Sequence, residues 1–305
     1  MAMAYRLLVD TYCVSMEIRL AEIPAPIVAR SLRFRPRLKT FDQSSWRIAY
    51  CVPRRPRSPT MRSTMLKHAA GIAGLLLGAL AQAACPPDAL GMSRTLTLKR
   101  EGAAYGTVQH PPLPLAPGEV VLTFDDGPRP GSTNGVLDAL AAQCVRATFF
   151  MNGKPMQQYP DLAAAVARAG HSVGMHGYEH PHYGQLDASA QLADLALVED
   201  AYARQFGQRA PAFRFPFLEQ TPVLLDKLRE QGITVMSVDL AIDDWLADQT
   251  PAMLTARMLE RLKGTKGGII LMHDGQDQTA AALPTLLRAL KEGGYKVVHV
   301  EWSTP

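Results

Sequence analysis

Long apolar runs are scarce in this sequence of 305 residues. The most extended one runs from Ala69 to about Ala81, which is shorter than the roughly 20 residues that a membrane-spanning helix needs. It follows a short basic start and leads into Ala81-Gln82-Ala83, a small-x-small pattern typical of a secretory cleavage site. We therefore expect a signal peptide over residues 61–84 and no membrane span after its cleavage. An uncleaved anchor is the alternative.

Acidic residues are also scarce near the N-terminus. Residues 1–60 hold 11 Lys+Arg against 4 Asp+Glu, and residues 61–84 add Arg62 and Lys67 without any acid. Subtracting these local charges of +7 and +2 from the net charge of +4 leaves −5 for residues 85–305. The basic balance of the whole chain is therefore no argument for a nucleic-acid partner, and we expect none.

Residues 1–60 show no sustained helix or strand period and are rich in Arg and Pro. We interpret them as a gene-model extension, with the biological start at Met61 or Met65. A genuine disordered basic segment is the alternative. With a signal peptide next in the chain, the protein is expected to be exported to the periplasm or the cell exterior.

Cysteine is rare, with four in the whole chain. Without residues 1–60 two remain, Cys85 and Cys144, in a protein that is expected to reach an oxidising compartment. An even pair there favours a disulfide that ties the mature N-terminus to the domain. Two buried thiols are the alternative.

Internal repeats and low-complexity tracts are absent from residues 119–300, where apolar runs alternate with amphipathic, helix-like stretches. The predicted strands are residues 119–124, 146–151, 171–175, 212–215, 234–239, 268–273 and 295–300. Alternation of this kind predicts a parallel sheet, either an open doubly wound sheet or a (β/α) barrel. Both bind ligands at the carboxyl ends of the strands. Residues 85–117 are expected to be an N-terminal arm, and residues 118–305 the main domain.

Polar side chains follow several of these strands, at the edge where ligands bind. They are Asp125 and Asp126, His176 and His180, Arg214, Asp243 and Asp244, and His273. Two histidines four residues apart on one turn can direct both imidazoles to one point, and a carboxylate completes a His-His-Asp set for a divalent metal. Zinc is expected, and cobalt, manganese and nickel also suit these ligands.

The adjacent aspartates can then divide two tasks. One carboxylate binds the metal, and the other accepts a proton from a water that the metal activates. An arginine beside the second carboxylate keeps it ionised. His273 can deliver a proton to a leaving nitrogen. The alternative for the two aspartates is a structural role in a solvated turn, because Asp, Gly and Pro are ordinary turn residues.

These motifs resemble the polysaccharide deacetylases of carbohydrate esterase family 4, the NodB homology domain, over roughly residues 118–300. "TFDDGP", "HGYEH", "RFPF", "DDW" and "LMH" occur in the family's order. The resemblance implies Asp125 as general base and Asp126, His176 and His180 as metal ligands. It also implies Arg214 as the residue that positions the base, and His273 as general acid oriented by Asp244. Pro216 and Phe217 would belong to the substrate and oxyanion site, with Trp245 and Leu271 walling the acetyl methyl group.

We accordingly expect a distorted (β/α) barrel of about seven parallel strands with the active site at their carboxyl edge. The expected reaction is N-deacetylation of a glycan that contains N-acetylglucosamine, of the chitooligosaccharide or peptidoglycan type, by a monomeric enzyme. The alternatives are an O-acetyl esterase of the xylan type and a carbohydrate-binding pseudoenzyme.

Two positions depart from the family pattern. Gly177 replaces the usual Ser or Thr within the histidine motif, and Ala241 stands where the fourth motif has its first Asp. Asp243 is an alternative to Asp244 for orienting His273. The nearby His171 and His182 are not assigned to the site.

Overall fold

The computed structural model describes residues 11–19, 45–53 and 85–303. The first two ranges are β1 (Thr11–Arg19) and β2 (Ser45–Pro53), which pair antiparallel along their whole length within a compact unit of their own. No regular element is predicted for residues 1–60, yet both strands alternate apolar and polar residues in the period of two that strands require. The predicted signal peptide and start sites lie outside the described residues.

Residues 85–303 belong to a second compact unit, built on parallel strands. Its strands are β3 (Arg94–Leu98), β4 (Ala104–Tyr105), β5 (Glu119–Asp125), β6 (Thr148–Met151), β7 (Ser172–Met175), β8 (Ala212–Phe213), β9 (Thr234–Met236), β10 (Leu240–Ala241), β11 (Gly268–His273) and β12 (Lys296–Trp302). Its helices are α1 (Ser132–Ala142), α2 (Gly153–Gln158), α3 (Pro160–Arg168), α4 (Ala188–Phe206), α5 (Pro222–Glu230), α6 (Pro251–Thr265) and α7 (Asp277–Glu292). The seven predicted strands are confirmed, and β3, β4 and β10 are additional.

The strand order shows how the sheet curls into a distorted barrel. Neighbouring strands run β10-β11-β5-β6-β7-β8-β9, and every pair among them is parallel. β4 pairs with the other edge of β9, and β9 and β10 are consecutive in the chain, separated only by residues 237–239. The ring is therefore closed by the chain itself, where a ladder of hydrogen bonds would close a regular barrel.

Apolar side chains fill both sides of this curled sheet. The smaller core cluster joins residues from strands that are not neighbours in the sheet, among them Val121, Phe150, Met236 and Ile269, so it lies inside the barrel. The larger cluster lies between the strands and the surrounding helices. Because both faces are covered, the strands read as continuous apolar runs, as buried parallel strands do.

The helices begin and end at residues that the sequence marks clearly. Asp187 accepts a hydrogen bond from the Ala190 amide at the start of α4, and Thr221 and Thr250 cap α5 and α6 in the same way. Gly207 ends α4 in the left-handed conformation that glycine adopts most readily. The local sequence therefore determines where these helices begin and end.

The segment before β5 is attached to the rest of this unit by two strands and a disulfide. β3 pairs with β12, and β4 pairs with β9. A disulfide joins Cys85 to Cys144, with their Cα atoms 5.9 Å apart. Among the described helices none combines the length and the apolarity that a membrane span would require.

Two buried histidines, His171 and His299, lie near the start of β7. His171 accepts a hydrogen bond from the Ala147 amide, and His299 Nε2 lies 3.3 Å from Ser172 Oγ, which itself donates to the Val300 carbonyl. Burial lowers the pKa of both imidazoles to about 4, and the charge of Arg146 acts in the same direction. Both are therefore neutral in the folded protein near neutral pH.

This pair should make the fold sensitive to acid. Between about pH 6.5 and pH 4 the unfolded chain binds protons that the folded chain excludes, so the free energy of unfolding falls as the pH falls through that window. The loss should reach about 3 kcal/mol at most for each histidine. Urea unfolding at a series of pH values should show a flatter slope for His299→Asn than for wild type. An unchanged slope would contradict the assignment.

Candidate functional site

Parallel strands bring the predicted polar residues to one edge of the barrel. Asp125 is the last residue of β5 and His273 the last of β11, and the two are Cα partners in the ladder between these strands. His176 follows β7 directly, and Arg214 follows β8. Residues that are far apart in sequence therefore meet at the carboxyl edge, as expected for this class of fold.

Asp126, His176 and His180 form one compact group of ligand atoms. Asp126 Oδ1 lies 3.6 Å from His176 Nε2 and 3.4 Å from His180 Nε2. All three ligand atoms lie within 4.8 Å of one another. Asp126 and His180 have φ angles of 77° and 59°, in the left-handed region that non-glycine residues seldom adopt. Such uncommon backbone conformations are concentrated at functional sites.

The group fits a divalent metal in its spacing and in its protonation. Tetrahedral zinc with bonds of about 2.1 Å would place its ligand atoms about 3.4 Å apart, close to the separations seen. His176 Nδ1 lies 2.8 Å from the Arg214 carbonyl oxygen and so must carry the hydrogen, which leaves the Nε2 lone pair free on the side of Asp126. Burial lowers the pKa of His176 to about 3, so the ring is neutral, as a metal ligand must be.

Asp125 is buried beside this group and bound to arginine. Its Oδ1 accepts a hydrogen bond of 2.7 Å from Arg214 Nη1, and its Oδ2 lies 3.7 Å from His176 Nε2. Burial raises the pKa of Asp125, while the charges of Arg214 and His273 oppose the rise. The carboxylate is therefore a stronger base than an exposed aspartate, and the guanidinium favours its charged form.

Arg214 is fully buried, and its guanidinium joins several strands. It donates to Thr123 Oγ1 on β5 at 2.8 Å and to the Met236 and Ser237 carbonyls at 2.9 and 3.2 Å. Its Cζ atom lies 4.2 Å from the centroid of the Phe150 ring. Since Met236 ends β9, the same side chain that holds Asp125 also links β5 to the end of β9. Burial lowers the pKa of Arg214, and the nearby Asp125 opposes this shift.

His273 and Asp244 form a dyad beside Asp125, since His273 is its Cα partner on the neighbouring strand. Asp244 is fully buried and accepts hydrogen bonds of 2.7 Å from both His273 Nδ1 and the His273 amide. Thr279 Oγ1 on α7 donates to the same carboxylate at 2.5 Å. Burial lowers the pKa of His273, but the hydrogen bond and charge of Asp244 and the charges of Asp125 and Asp126 outweigh it and raise the pKa to about 9. His273 is thus a cation at neutral pH.

The neighbouring Asp243 is bound elsewhere. Its two carboxylate oxygens each lie 2.7 Å from an Arg261 nitrogen, and Arg257 Nε is 3.4 Å from Oδ2. The structure therefore brings Asp244 to His273 and binds Asp243 in a separate ion pair with Arg261 of α6.

Aromatic side chains border the cleft on two sides. Trp245 is 47% exposed, with its ring centroid 5.5 Å from that of His273. On the other side Phe217 is 51% exposed and lies edge-on to His180, with centroids 4.3 Å apart. His182 stacks on Phe217 at 3.7 Å, although the sequence gives no reason to place it beside the site.

Pro216 and Leu271 are both buried. Leu271 precedes His273 by two residues on β11, so the two side chains lie on the same face of the strand. Ala241 on β10 is the Cα partner of Leu271. The position that departs from the fourth motif is therefore a strand residue next to the cleft wall.

Gly177 has a physical reason to differ from the usual Ser or Thr. Its φ is +75°, and a Cβ atom there would lie 3.1 Å from Pro181 Cδ and 3.2 Å from Pro216 Cγ. Both the backbone conformation and the space favour glycine. A side chain at this position is therefore disfavoured in the turn between His176 and His180.

Sequence reasoning missed three residues that hold the site. Thr123 binds Arg214 and Thr279 binds Asp244; Thr123 opens the "TFDDGP" motif but was assigned no role, and Thr279 belongs to none of the motifs. Asp274 is buried and accepts hydrogen bonds from the Gly127 amide and the Thr133 hydroxyl. Its place directly after His273 at a strand end was a usable signal. Burial raises the pKa of Asp274 to about 7, against the hydrogen bond from Thr133.

Comparison with known proteins gives a consistent picture. A family model described as polysaccharide deacetylase matches residues 114–236. The chain is 31% identical to peptidoglycan-N-acetylglucosamine deacetylase PgdA of Listeria monocytogenes over 64% of its own length, but it spans only 41% of that protein. It is also 31% identical to the chitin deacetylase of Colletotrichum lindemuthianum, over 60% of this chain and 78% of that one.

Among solved structures, the peptidoglycan deacetylase Bd3279 of Bdellovibrio bacteriovorus matches with a TM-score of 0.63 and 31% identity. The match covers 70% of this chain and 59% of that one. This chain covers 78% of the chitin deacetylase at 31% identity, and its fold is similar to that of Bd3279. The protein therefore belongs to the polysaccharide deacetylase family, carbohydrate esterase family 4.

Proposed function

We propose that the protein is a metal-dependent hydrolase that removes N-acetyl groups from a glycan containing N-acetylglucosamine and releases acetate. One observation carries the proposal: Asp125, buried and bound to Arg214, lies between the Asp126-His176-His180 group and the His273–Asp244 dyad, with Oδ2 3.7 Å from His176 Nε2 and His273 as its partner on the next strand. A base, a metal ligand set and an acid at one strand edge are the parts that amide hydrolysis needs.

Asp126, His176 and His180 would hold the metal, with zinc the ion that best suits two imidazoles and a carboxylate. When bound, it supplies Lewis acidity toward the acetyl carbonyl and toward water. His176 is oriented for this role by the Arg214 carbonyl oxygen. His180 is held more loosely, with 26% of its side chain exposed.

The remaining residues move the protons. Asp125 removes a proton from the attacking water as the oxygen bonds to the acetyl carbon, and Arg214 keeps the carboxylate ionised beforehand. The Phe217 amide would donate to the oxyanion that develops on the carbonyl oxygen. His273, charged at neutral pH, gives its proton to the sugar nitrogen as the carbon–nitrogen bond breaks. The products are acetate and a glucosamine unit.

The shape of the cleft suits a polymer. Trp245 beside His273 and Phe217 beside His180 present exposed rings, where the apolar faces of sugar rings could pack. An exported protein of this kind would act on a cell-wall or environmental glycan. The relatives named as peptidoglycan and chitin deacetylases support both glycan types.

The proposal is tested by acetate release from three substrates: N-acetylglucosamine oligomers, peptidoglycan and acetylated xylan. The zinc-loaded protein should deacetylate at least one of the first two, and a chelated sample should lose the activity and regain it when zinc is returned. Asp126→Ala should lose both metal and activity. Release from xylan alone would indicate an O-acetyl esterase, and no release from any of the three would favour a carbohydrate-binding protein.

Replacing Asp244 should change the pH dependence. Because the hydrogen bond and charge of Asp244 raise the pKa of His273 to about 9, the wild-type kcat/KM should fall as the pH rises through about 9. Asp244→Asn removes the charge, so this alkaline limb should move to lower pH. Asp243→Asn is the matched control and should leave the limb in place. Equal shifts in the two variants would contradict the assignment of Asp244.

A further inference from the structure

Asp274 is a buried carboxylate that the proposed reaction does not use. It is 1% exposed and follows His273 at the end of β11. Its Oδ1 accepts a hydrogen bond of 3.1 Å from the Gly127 amide, and its Oδ2 accepts one from the Thr133 hydroxyl on α1. The side chain therefore joins the end of β11 to the loop after β5 and to the first turn of a helix.

These contacts fasten the loop between β5 and α1 from within. Thr133 Oγ1 also accepts a hydrogen bond of 2.8 Å from the Arg129 amide. Asp274 thus binds the loop directly at Gly127, and through Thr133 at Arg129. Asp126 lies immediately before Gly127 and has a φ of 77°, a conformation that costs on the order of 1 kcal/mol or more for a non-glycine residue. Other contacts must hold it there.

The packing around Gly127 leaves no room for a residue with a side chain. A Cβ atom on Gly127 would lie 2.0 Å from Asp274 Oδ2 and 2.4 Å from Oδ1. Only glycine lets the carboxylate approach the amide this closely. Asn152 also contacts this part of the loop. Its backbone amide donates to the Gly127 carbonyl at 3.2 Å, and its Nδ2 lies 3.4 Å from both the carbonyl oxygen and Oδ1 of Asp126. Asp274 is the side chain that binds the Gly127 amide.

We infer that Asp274 is a positioning residue: it holds the Asp126–Gly127 backbone so that the Asp126 carboxylate points at His176 and His180. The inference rests on the proposed function, because it assigns to Asp274 a contribution to metal affinity. Partners of this kind, one step behind a ligand, are commonly worth about 10- to 100-fold in metal affinity.

The test is the affinity for Zn²⁺ and the visible absorption spectrum of the Co²⁺-loaded protein, both measured without substrate. Asp274→Ala removes both hydrogen bonds and should weaken zinc binding by about 10- to 100-fold and change the cobalt spectrum. Asp274→Asn can still accept from Gly127 and can donate to Thr133, so it should restore much of the affinity. Thr133→Val removes one contact and is the milder variant should Asp274→Ala not fold.

A matched control lies at the start of β5, the strand that leads to Asp126. Glu119 begins β5, is also buried, and binds Arg94 and the Ala116 amide. Glu119→Gln should lower the melting temperature without changing zinc affinity. The inference is overturned if Asp274→Ala and Thr133→Val bind zinc as wild type does, or if Glu119→Gln weakens binding equally. Failure of the wild-type protein to bind zinc would overturn the proposed function as well.

Discussion

Replacing Asp125 with asparagine should lower kcat by about 10²- to 10⁴-fold while leaving the metal content unchanged. Asparagine has nearly the same shape and can still accept the hydrogen bond from Arg214 Nη1, which lies 2.7 Å from the carboxylate. It cannot take a proton from water at neutral pH. Because Asp125 lies outside the Asp126-His176-His180 ligand group, the loss should fall on the chemical step.

The measurement is acetate release by metal-loaded Asp125→Asn together with its zinc content. Asp226→Asn is the control, because Asp226 lies on α5 with 69% of its side chain exposed and pairs only with Arg229 in the described residues. It should behave as wild type. Full activity in Asp125→Asn would refute Asp125 as the base, and loss of zinc would show that Asp125 is itself a ligand.

Replacing Arg214 with methionine should have the largest effect on stability. The change leaves the Asp125 carboxylate buried without its cation and leaves the Met236 and Ser237 carbonyls without their donor. Breaking a buried ion pair from one side costs about 3–5 kcal/mol. The pKa of Asp125 should also rise further, so any remaining activity should require a higher pH.

Chemical denaturation of three variants separates these effects. Arg94→Met breaks a more exposed pair with Glu119 and should cost about 1 kcal/mol or less. Combining Arg214→Met with Asp125→Leu removes both charges and should be more stable than Arg214→Met alone. If Arg214→Met cost no more than Arg94→Met, the guanidinium would not be holding the barrel together.

The strand and helix pattern was predictable because buried parallel strands are apolar on both faces. Runs such as Val120–Phe124 supply apolar side chains to the cores on both sides of the sheet, and a nearby Pro, Thr or Gly marks most helix ends. The very short β4 and β10 could not be predicted in this way. Each is a two-residue strand that exists only because a neighbouring strand is there to pair with it.

The site was predictable in its residue types more than in its connections. A doubled aspartate and a histidine pair at strand ends indicate a metal group directly. In the sequence only the family resemblance favours Asp244 over Asp243, because adjacent residues differ only in direction, and direction depends on Arg261 and His273. The position of His182 against Phe217 likewise depends on how two separate loops meet.

The sequence by itself determined the class of fold, the order of the seven main strands and the polar residues at their carboxyl ends. These follow from local periodicity and from motifs, which are properties of neighbouring residues. Only the tertiary structure decided which histidine nitrogen is free, how Arg214 links β5 to the end of β9, and that Asp274 fastens the loop of Asp126. Each of those depends on hydrogen bonds between residues far apart in the chain, and such bonds leave no local pattern.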